Sequence, residues 1–123
     1  MVVVDASAIA ALLIKAPGAE RIFERLAESD FDLHAPAHFE AEVFSTLRRT
    51  ANWNVESLEG YLLLPVTLHA ARPFLARAYS LRLNMKPYDA LYIALAEMLD
   101  VPLLTRDRRL SRAPGHRATL EVL

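Results

Sequence analysis

Short strand-like runs alternate with helical ones along the whole chain. That alternation points to an α/β fold in which a mostly parallel central sheet is flanked by helices on both faces. Val2, Val3 and Val4 read as a short buried strand. Ser7 is placed to cap a helix over residues 8–13. Pro17 and Gly18 end it, and an amphipathic helix over 19–27 turns Ile22, Phe23 and Leu26 inward. Residues 33–35 predict a second strand. Pro36 leads into a helix over about 37–49, in which Phe39, Val43 and Leu47 recur four apart. A short helix is expected over 55–63, a strand over 65–68, and a helix over 70–82 with Pro73 in its first turn. The clearest helix spans 87–99, with Leu91, Ala94, Leu95 and Met98 on one stripe. A strand over 101–105, a short helix over 107–112 and a closing strand over 119–123 complete the pattern. No repeat or low-complexity tract interrupts it, and 123 residues suit one domain, residues 1–123, with one proper core.

Four acidic residues stand at hydrophobic junctions of this pattern. Asp5 ends the first strand, and Asp107 follows the strand that closes on Thr105. Neighbouring parallel strands can bring such ends together at the carboxyl edge of the sheet, where α/β folds place chemistry. Asp89 falls in the first turn of its helix, where the macrodipole favours an ionised carboxylate. Glu42 lies mid-helix. Helical geometry sets Glu40 nearly opposite it, so only one of the two can enter a given site, and Glu40 is expected to be solvated. Without cysteine there is no thiolate site and no disulfide frame. Converging carboxylates then suggest a hard-cation site for Mg²⁺ or Mn²⁺ that activates a water against a phosphodiester. Ser7 and Thr105 are placed to orient the acids or a water. Taken singly, each acid also has a plainer reading: a helix cap for Asp107, a dipole partner for Asp89, an exposed helix residue for Glu42.

Net charge is −1, which excludes a general polyanion binder. The basic residues are nearly all arginine, with Lys15 and Lys86 the two lysines. They cluster at Arg48-Arg49 and at Arg106, Arg108, Arg109 and Arg112. Arginine's planar fork suits phosphate, so Arg48, Arg49, Lys86, Arg106 and Arg108 are candidate contacts to a nucleic-acid phosphate backbone. A solvated helix face explains them equally well. His34, His38, His69 and His116 share no metal-ligand spacing, so none is expected to be catalytic, which favours water over the ribose 2′-OH as nucleophile. Tyr88, Tyr92, Trp53 and Phe74 could stack on unpaired bases, with core packing the default, most clearly for Tyr92. The apolar start lacks a basic n-region and is broken by Asp5. We therefore expect no signal peptide, no N-terminal extension, no membrane span and a cytoplasmic location.

Several segments carry a family resemblance. Val2-Val3-Val4-Asp5-Ala6-Ser7-Ala8, Glu42-Val43 with Leu47-Arg48-Arg49, Tyr88-Asp89-Ala90-Leu91-Tyr92-Ile93-Ala94-Leu95-Ala96-Glu97, and Leu103-Leu104-Thr105-Arg106-Asp107-Arg108-Arg109-Leu110 stand in the order found in PIN-domain ribonucleases. The chain resembles in particular the VapC-type toxins of type II (VapBC) toxin–antitoxin systems. The resemblance implies a three-layer PIN-like fold and a Mg²⁺- or Mn²⁺-dependent endoribonuclease. It also implies a homodimer, and neutralisation by a small VapB-type antitoxin. It makes Asp5, Glu42, Asp89 and Asp107 an acidic quartet, both catalytic and metal-ligating. Three departures stand out. Ser45 occupies the place of a common family asparagine, with reach to a ligand or phosphate. Lys86 stands where a capping Ser or Thr is usual. The segment 50–64 is shorter than the family's helical hairpin. A catalytically inactive PIN-like module that binds RNA or a partner is the main rival. A phosphoacceptor domain is disfavoured, because Asp5 has no acidic neighbour and Arg106 stands where a lysine is needed.

Overall fold

The computed structural model describes residues 1–51 and 53–123; Asn52, in the polar loop between residues 50 and 54, lies outside the described residues. Thirteen elements follow in order: β1 (Val2–Val4), α1 (Ala6–Leu13), α2 (Ala19–Glu28), β2 (Leu33–Pro36), α3 (Phe39–Arg48), α4 (Val55–Leu62), β3 (Val66–His69), a 3₁₀ turn (Arg72–Phe74), α5 (Leu75–Ser80), α6 (Pro87–Leu99), β4 (Leu103–Thr105), α7 (Arg108–Ser111) and β5 (Leu120–Val122).

The strands form one five-stranded sheet in the order β3-β2-β1-β4-β5, every pair parallel. Its inner strands are buried along their whole length, so β1 carries only valine and β4 reads Leu-Leu-Thr. The chain moves outward from β1 through β2 to β3, then crosses back to β4 and continues to β5. The direction reverses between β1 and β4, and the crevice beyond the carboxyl ends of those two strands is where an open α/β sheet binds ligands. The Asp5 N–H donates to Leu104 O at 2.9 Å, which ties the end of β1 to β4.

Right-handed crossovers put α1 to α4 on one face of the sheet and α5 and α6 on the other. The contacts agree: α1 packs on α2, α3 and α4, whereas α6 packs on α5 and across β1, β2 and β4. Helix α6 is buried all round from Ala90 to Ala96, as expected for a helix between the sheet and another helix. Pro87 starts it at N1, where no N–H is missed. The buried Glu97 carboxylate accepts two bonds from Arg77 (2.9 and 3.0 Å) and one from the Arg117 N–H (3.0 Å), which clamps α5 and the C-terminal loop to α6.

The structure corrects four local expectations. Asp5, not Ser7, caps α1, which therefore begins two residues early, at Ala6. Phe23 is 53% exposed, because Ile22 and Leu26 at i and i+4 already fill the inward stripe of α2; Phe23 tilts onto Phe31 instead. Met98 is exposed because the buried stretch of α6 stops at Ala96. The helix expected over 70–82 is a 3₁₀ turn followed by a six-residue α5, since Pro73 donates no N–H and restrains the residue before it.

Leu95 is fully buried in α6. Leu95→Ala is expected to lower stability by about 2–5 kcal/mol, measured by urea denaturation, with the m-value unchanged.

Candidate active site

The fold brings the four acids to the crevice between β1 and β4. Asp5 is the most deeply set, at 8% exposed. Its Oδ1 accepts from the Ser7 N–H (3.3 Å) as the N-cap of α1. Its Oδ2 accepts from Ser7 Oγ (3.1 Å) and from the fully buried Thr105 Oγ1 (2.6 Å). Both hydroxyls also accept from the turn after β4: Ser7 Oγ from Arg106 N–H (3.1 Å) and Thr105 Oγ1 from Asp107 N–H (3.0 Å). Two hydroxyls thus lock the first acid to the turn that carries the last one. Asp107 caps α7 through its Oδ1, which accepts from the Arg109 and Leu110 N–H groups (2.9 and 3.3 Å). Asp89 is half-buried in the first turn of α6 and lines a cavity of about 200 Å³ with Asp107, Asn84, Lys86 and Arg109.

Glu42 points toward the same place from α3. Glu40, two residues earlier, is turned away and accepts from the Tyr61 hydroxyl at 2.7 Å. Burial, and after it that bond, pushes the Tyr61 hydroxyl above its usual range. Glu42 Oε1 lies 2.9 Å from His38 Nε2, but the angles miss hydrogen-bond geometry. The carboxylate oxygen and both His38 ring nitrogens therefore stay buried without a hydrogen-bond partner among the described residues. The fully buried Tyr92 adds a third such group. Its hydroxyl is held well above the usual range, first by burial and then by the charges of Glu42 and Asp5. Polar atoms placed this way fit a crevice that takes up a water or a hydrated cation.

The acids sense one another. Burial raises the Asp89 carboxyl above its ordinary value, and the charges of Asp5, Asp107 and Glu42 raise it further against the opposing pull of Lys86. Asp5 is raised as well, chiefly by burial, which outweighs the lowering effect of the Thr105 and Ser7 hydrogen bonds; the Glu42 charge adds to the rise. A bound divalent cation would relieve this repulsion, and the donors are all hard oxygens. Among the described residues, no three His, Cys, Asp or Glu side chains already stand close enough to hold an ion, so a cation would have to draw them together.

The other expected site residues are scattered in role. Ser7 and Thr105 orient Asp5, as described. Ser45 is exposed on α3, and no hydrogen bond among the described residues ties it to the acids. Arg48 and Arg49 are exposed at the end of α3, where among the described residues the Arg49 side chain reaches Thr46 (3.5 Å). The Arg106 guanidinium donates to Pro17 O (3.1 Å) and so serves partly to hold the loop before α2. Arg108 and Lys86 are exposed, Lys86 as the N-cap of α6. His38, Asn84 and Arg109 were not expected at the site. For His38 the signal was its i,i+4 spacing to Glu42 on one helix face. His34 and His69 engage each other instead (2.8 Å), and His34 also meets Asp32 (2.9 Å).

The PIN-domain family pattern matches residues 2–116, almost the entire chain. The chain belongs to the PIN-domain family. Within it, the chain is 38% identical to ribonuclease VapC12 of Mycobacterium tuberculosis, over 100% of this chain and 99% of that protein. It is 42% identical to ribonuclease VapC3 of the same organism, over 91% of this chain and 86% of that one. Solved structures agree on the fold. Mycobacterium tuberculosis VapC20, a Sarcin-Ricin loop cleaving toxin, superposes with a TM-score of 0.67 at 18% identity over 91% of this chain and 94% of that one. VapBC2 from Rickettsia felis, bound to a DNA fragment from its promoter, superposes at 0.66 and 15% identity over 99% and 98%. The protein is thus a PIN domain of the VapC ribonuclease group; the alternating sequence pattern implied a mostly parallel sheet, and every strand pair is parallel.

In this PIN domain the raised acids set a pH dependence. A carboxyl whose folded-state pKa exceeds its unfolded value binds more protons folded than unfolded between the two, so stability falls as pH rises through that window. Asp89→Asn is therefore expected to raise the melting temperature at neutral pH, and the gain should vanish below the ordinary carboxylate range. Asp5→Asn should gain less, because it perturbs an acceptor of three hydrogen bonds. Thermal melts across pH on both variants check this.

Proposed function

We propose that this PIN domain is a metal-dependent endoribonuclease, with Asp5, Glu42, Asp89 and Asp107 as both its metal-ligating and its catalytic residues, and Mg²⁺ or Mn²⁺ as its cofactor. The observation that carries the reading is the placement of the four acids around one crevice, where burial first and then the charges of Asp5, Asp107 and Glu42 raise Asp89. Four acids concentrated in one crevice destabilise the fold unless a cation joins them. When bound, the cation supplies charge neutralisation at the phosphodiester and activates a water for in-line attack. The protein's own residues do the rest. Ser7 and Thr105 hold Asp5 in one orientation. Asp107 is fixed by its capping bonds, and Lys86 and Arg109 offer positive charge to the flanking phosphates. Hydrolysis by water leaves a 5′-phosphate.

His38 beside Glu42 removes the premise that the site has no histidine, so end-mapping of the products matters. A 2′,3′-cyclic phosphate would identify the ribose hydroxyl as nucleophile.

The same proposal includes the partners and setting of a VapC-type toxin: a cytoplasmic homodimer neutralised by a small VapB-type antitoxin. An apolar groove of about 500 Å³ lined by Leu12, Leu13, Phe23, Phe31, Leu63 and Leu64, at the edge of the sheet away from the acids, suits a partner of that kind. Among the described residues, no helix is long and apolar enough to cross a membrane.

The test is cleavage of structured and single-stranded RNAs with Mg²⁺, Mn²⁺ or EDTA. Cutting is expected with either metal and absent in EDTA. Asp5→Asn and Asp89→Asn should each lower the rate by about a hundredfold or more, the scale of losing one electrostatic contact to the transition state. Full activity in both folded variants would overturn the site assignment. RNA binding without turnover would favour an inactive binding module.

A further inference from the structure

Tyr88 precedes Asp89 in the first turn of α6, and it is 59% exposed. Its ring lies nearly parallel to that of His38, with centroids 4.9 Å apart and planes 22° from coincident. His38 packs in turn against the fully buried Tyr92, edge-on at 5.0 Å, and its Nε2 lies 2.9 Å from Glu42 Oε1 without a hydrogen bond. One face of Tyr88 is therefore backed by a fixed aromatic ring, and its exposure leaves the other face to solvent. The backing ring also touches an acid of the cluster, so the plate and the carboxylates share one wall.

Other exposed aromatic side chains are differently placed. Tyr79 carries the Arg82 guanidinium over its ring at 4.0 Å. Trp53 meets Phe44 edge-on, and Phe23 tilts against Phe31. Among the described residues, Tyr88 is the aromatic that is face-backed, open on its outer side and next to the acids. Lys86 and Arg109 line the cavity beside Asp89. A flat aromatic face with cations nearby is how proteins hold unpaired nucleic acid: bases stack on the ring while the backbone follows the positive charge. Duplex RNA keeps its bases inside the helix and has no free face to offer.

We propose that the outer face of Tyr88 is a stacking subsite for an unpaired nucleobase next to the scissile phosphate. The inference rests on the ribonuclease reading and adds to it a residue that holds the base beside the cut. Tyr88 is a binding residue; His38 positions it.

The test uses the full chain carrying Asp5→Asn, which blocks cleavage, in Mg²⁺. The probe is a short unpaired oligoribonucleotide pool of mixed sequence containing 2-aminopurine, compared with its duplex. Adding Tyr88→Leu should weaken binding of the unpaired probe roughly five- to a hundredfold, the range for losing one stacked base. The quenching of 2-aminopurine on binding should be lost with it, while duplex binding changes less than about twofold. Tyr88→Phe keeps the ring and should retain both affinity and quenching. Unchanged binding in Tyr88→Leu would overturn the inference, as would equal losses in Tyr88→Phe or equal losses on the duplex. Should Tyr88→Leu fail to fold, absence of quenching in the parent and in Tyr88→Phe would overturn it as well. If the parent binds no RNA at all, the ribonuclease reading falls first and this inference with it. Binding that ignores Tyr88 sinks the inference alone.

Discussion

The Asp5 carboxylate is the group on which both the fold and the site depend. It caps α1, and through Thr105 and Ser7 it fixes the turn after β4. It does so at 8% exposure, where burial raises its pKa and opposes the charge that the proposed metal site needs. The hydrogen bonds from Thr105 and Ser7 offset part of that penalty. The same bonds restrict how the carboxylate can turn, so structural support and preorganisation of the site come from one set of atoms.

Topology explains why the acids meet. The sheet order β3-β2-β1-β4-β5 reverses direction between β1 and β4. The chain leaves the ends of these two strands in opposite directions across the sheet, which opens a crevice. Asp5 and Asp107 stand at its two sides, while α3 and α6 deliver Glu42 and Asp89 from the two helical layers. The arrangement concentrates like charge in a half-buried place, and a fold selected for stability alone would avoid that. The atoms of Glu42, His38 and Tyr92 that are buried without a hydrogen bond among the described residues belong to the same tension. They are tolerable in a site that recruits a cation and an RNA, and costly in one that recruits nothing.

Much of this was legible along the chain. The apolar Val2–Val4 strand, the i,i+4 stripe of Phe39, Val43 and Leu47, and helix Pro87–Leu99 all follow from local pattern, because burial imposes a period that composition records. The acid that enters from α3 was legible too, since helical geometry separates Glu40 from Glu42. Less was legible wherever one residue serves two elements. Asp5 looked like a strand end with Ser7 as the cap, yet it is the cap itself. Pro73 marked a helix start, but the segment resolves into a 3₁₀ turn and a short helix whose lengths depend on packing against α6.

The sequence by itself determined the alternation of strands and helices, the four acids at their junctions and the family to which they belong. All three are properties of residue type and spacing. The tertiary structure decided which long-range partners those residues meet. Thr105 reaches Asp5 across a hundred residues. Tyr92, for which core packing was the favoured reading over base stacking, brings its hydroxyl near Glu42 and Asp5. His38, a lone histidine in the sequence, becomes the ring between Glu42 and Tyr88. The reason is physical: helix and strand periodicity is local, whereas the charge repulsion, burial and ring stacking that shape the site arise only when β1 and β4 pair and α3 and α6 close over their ends.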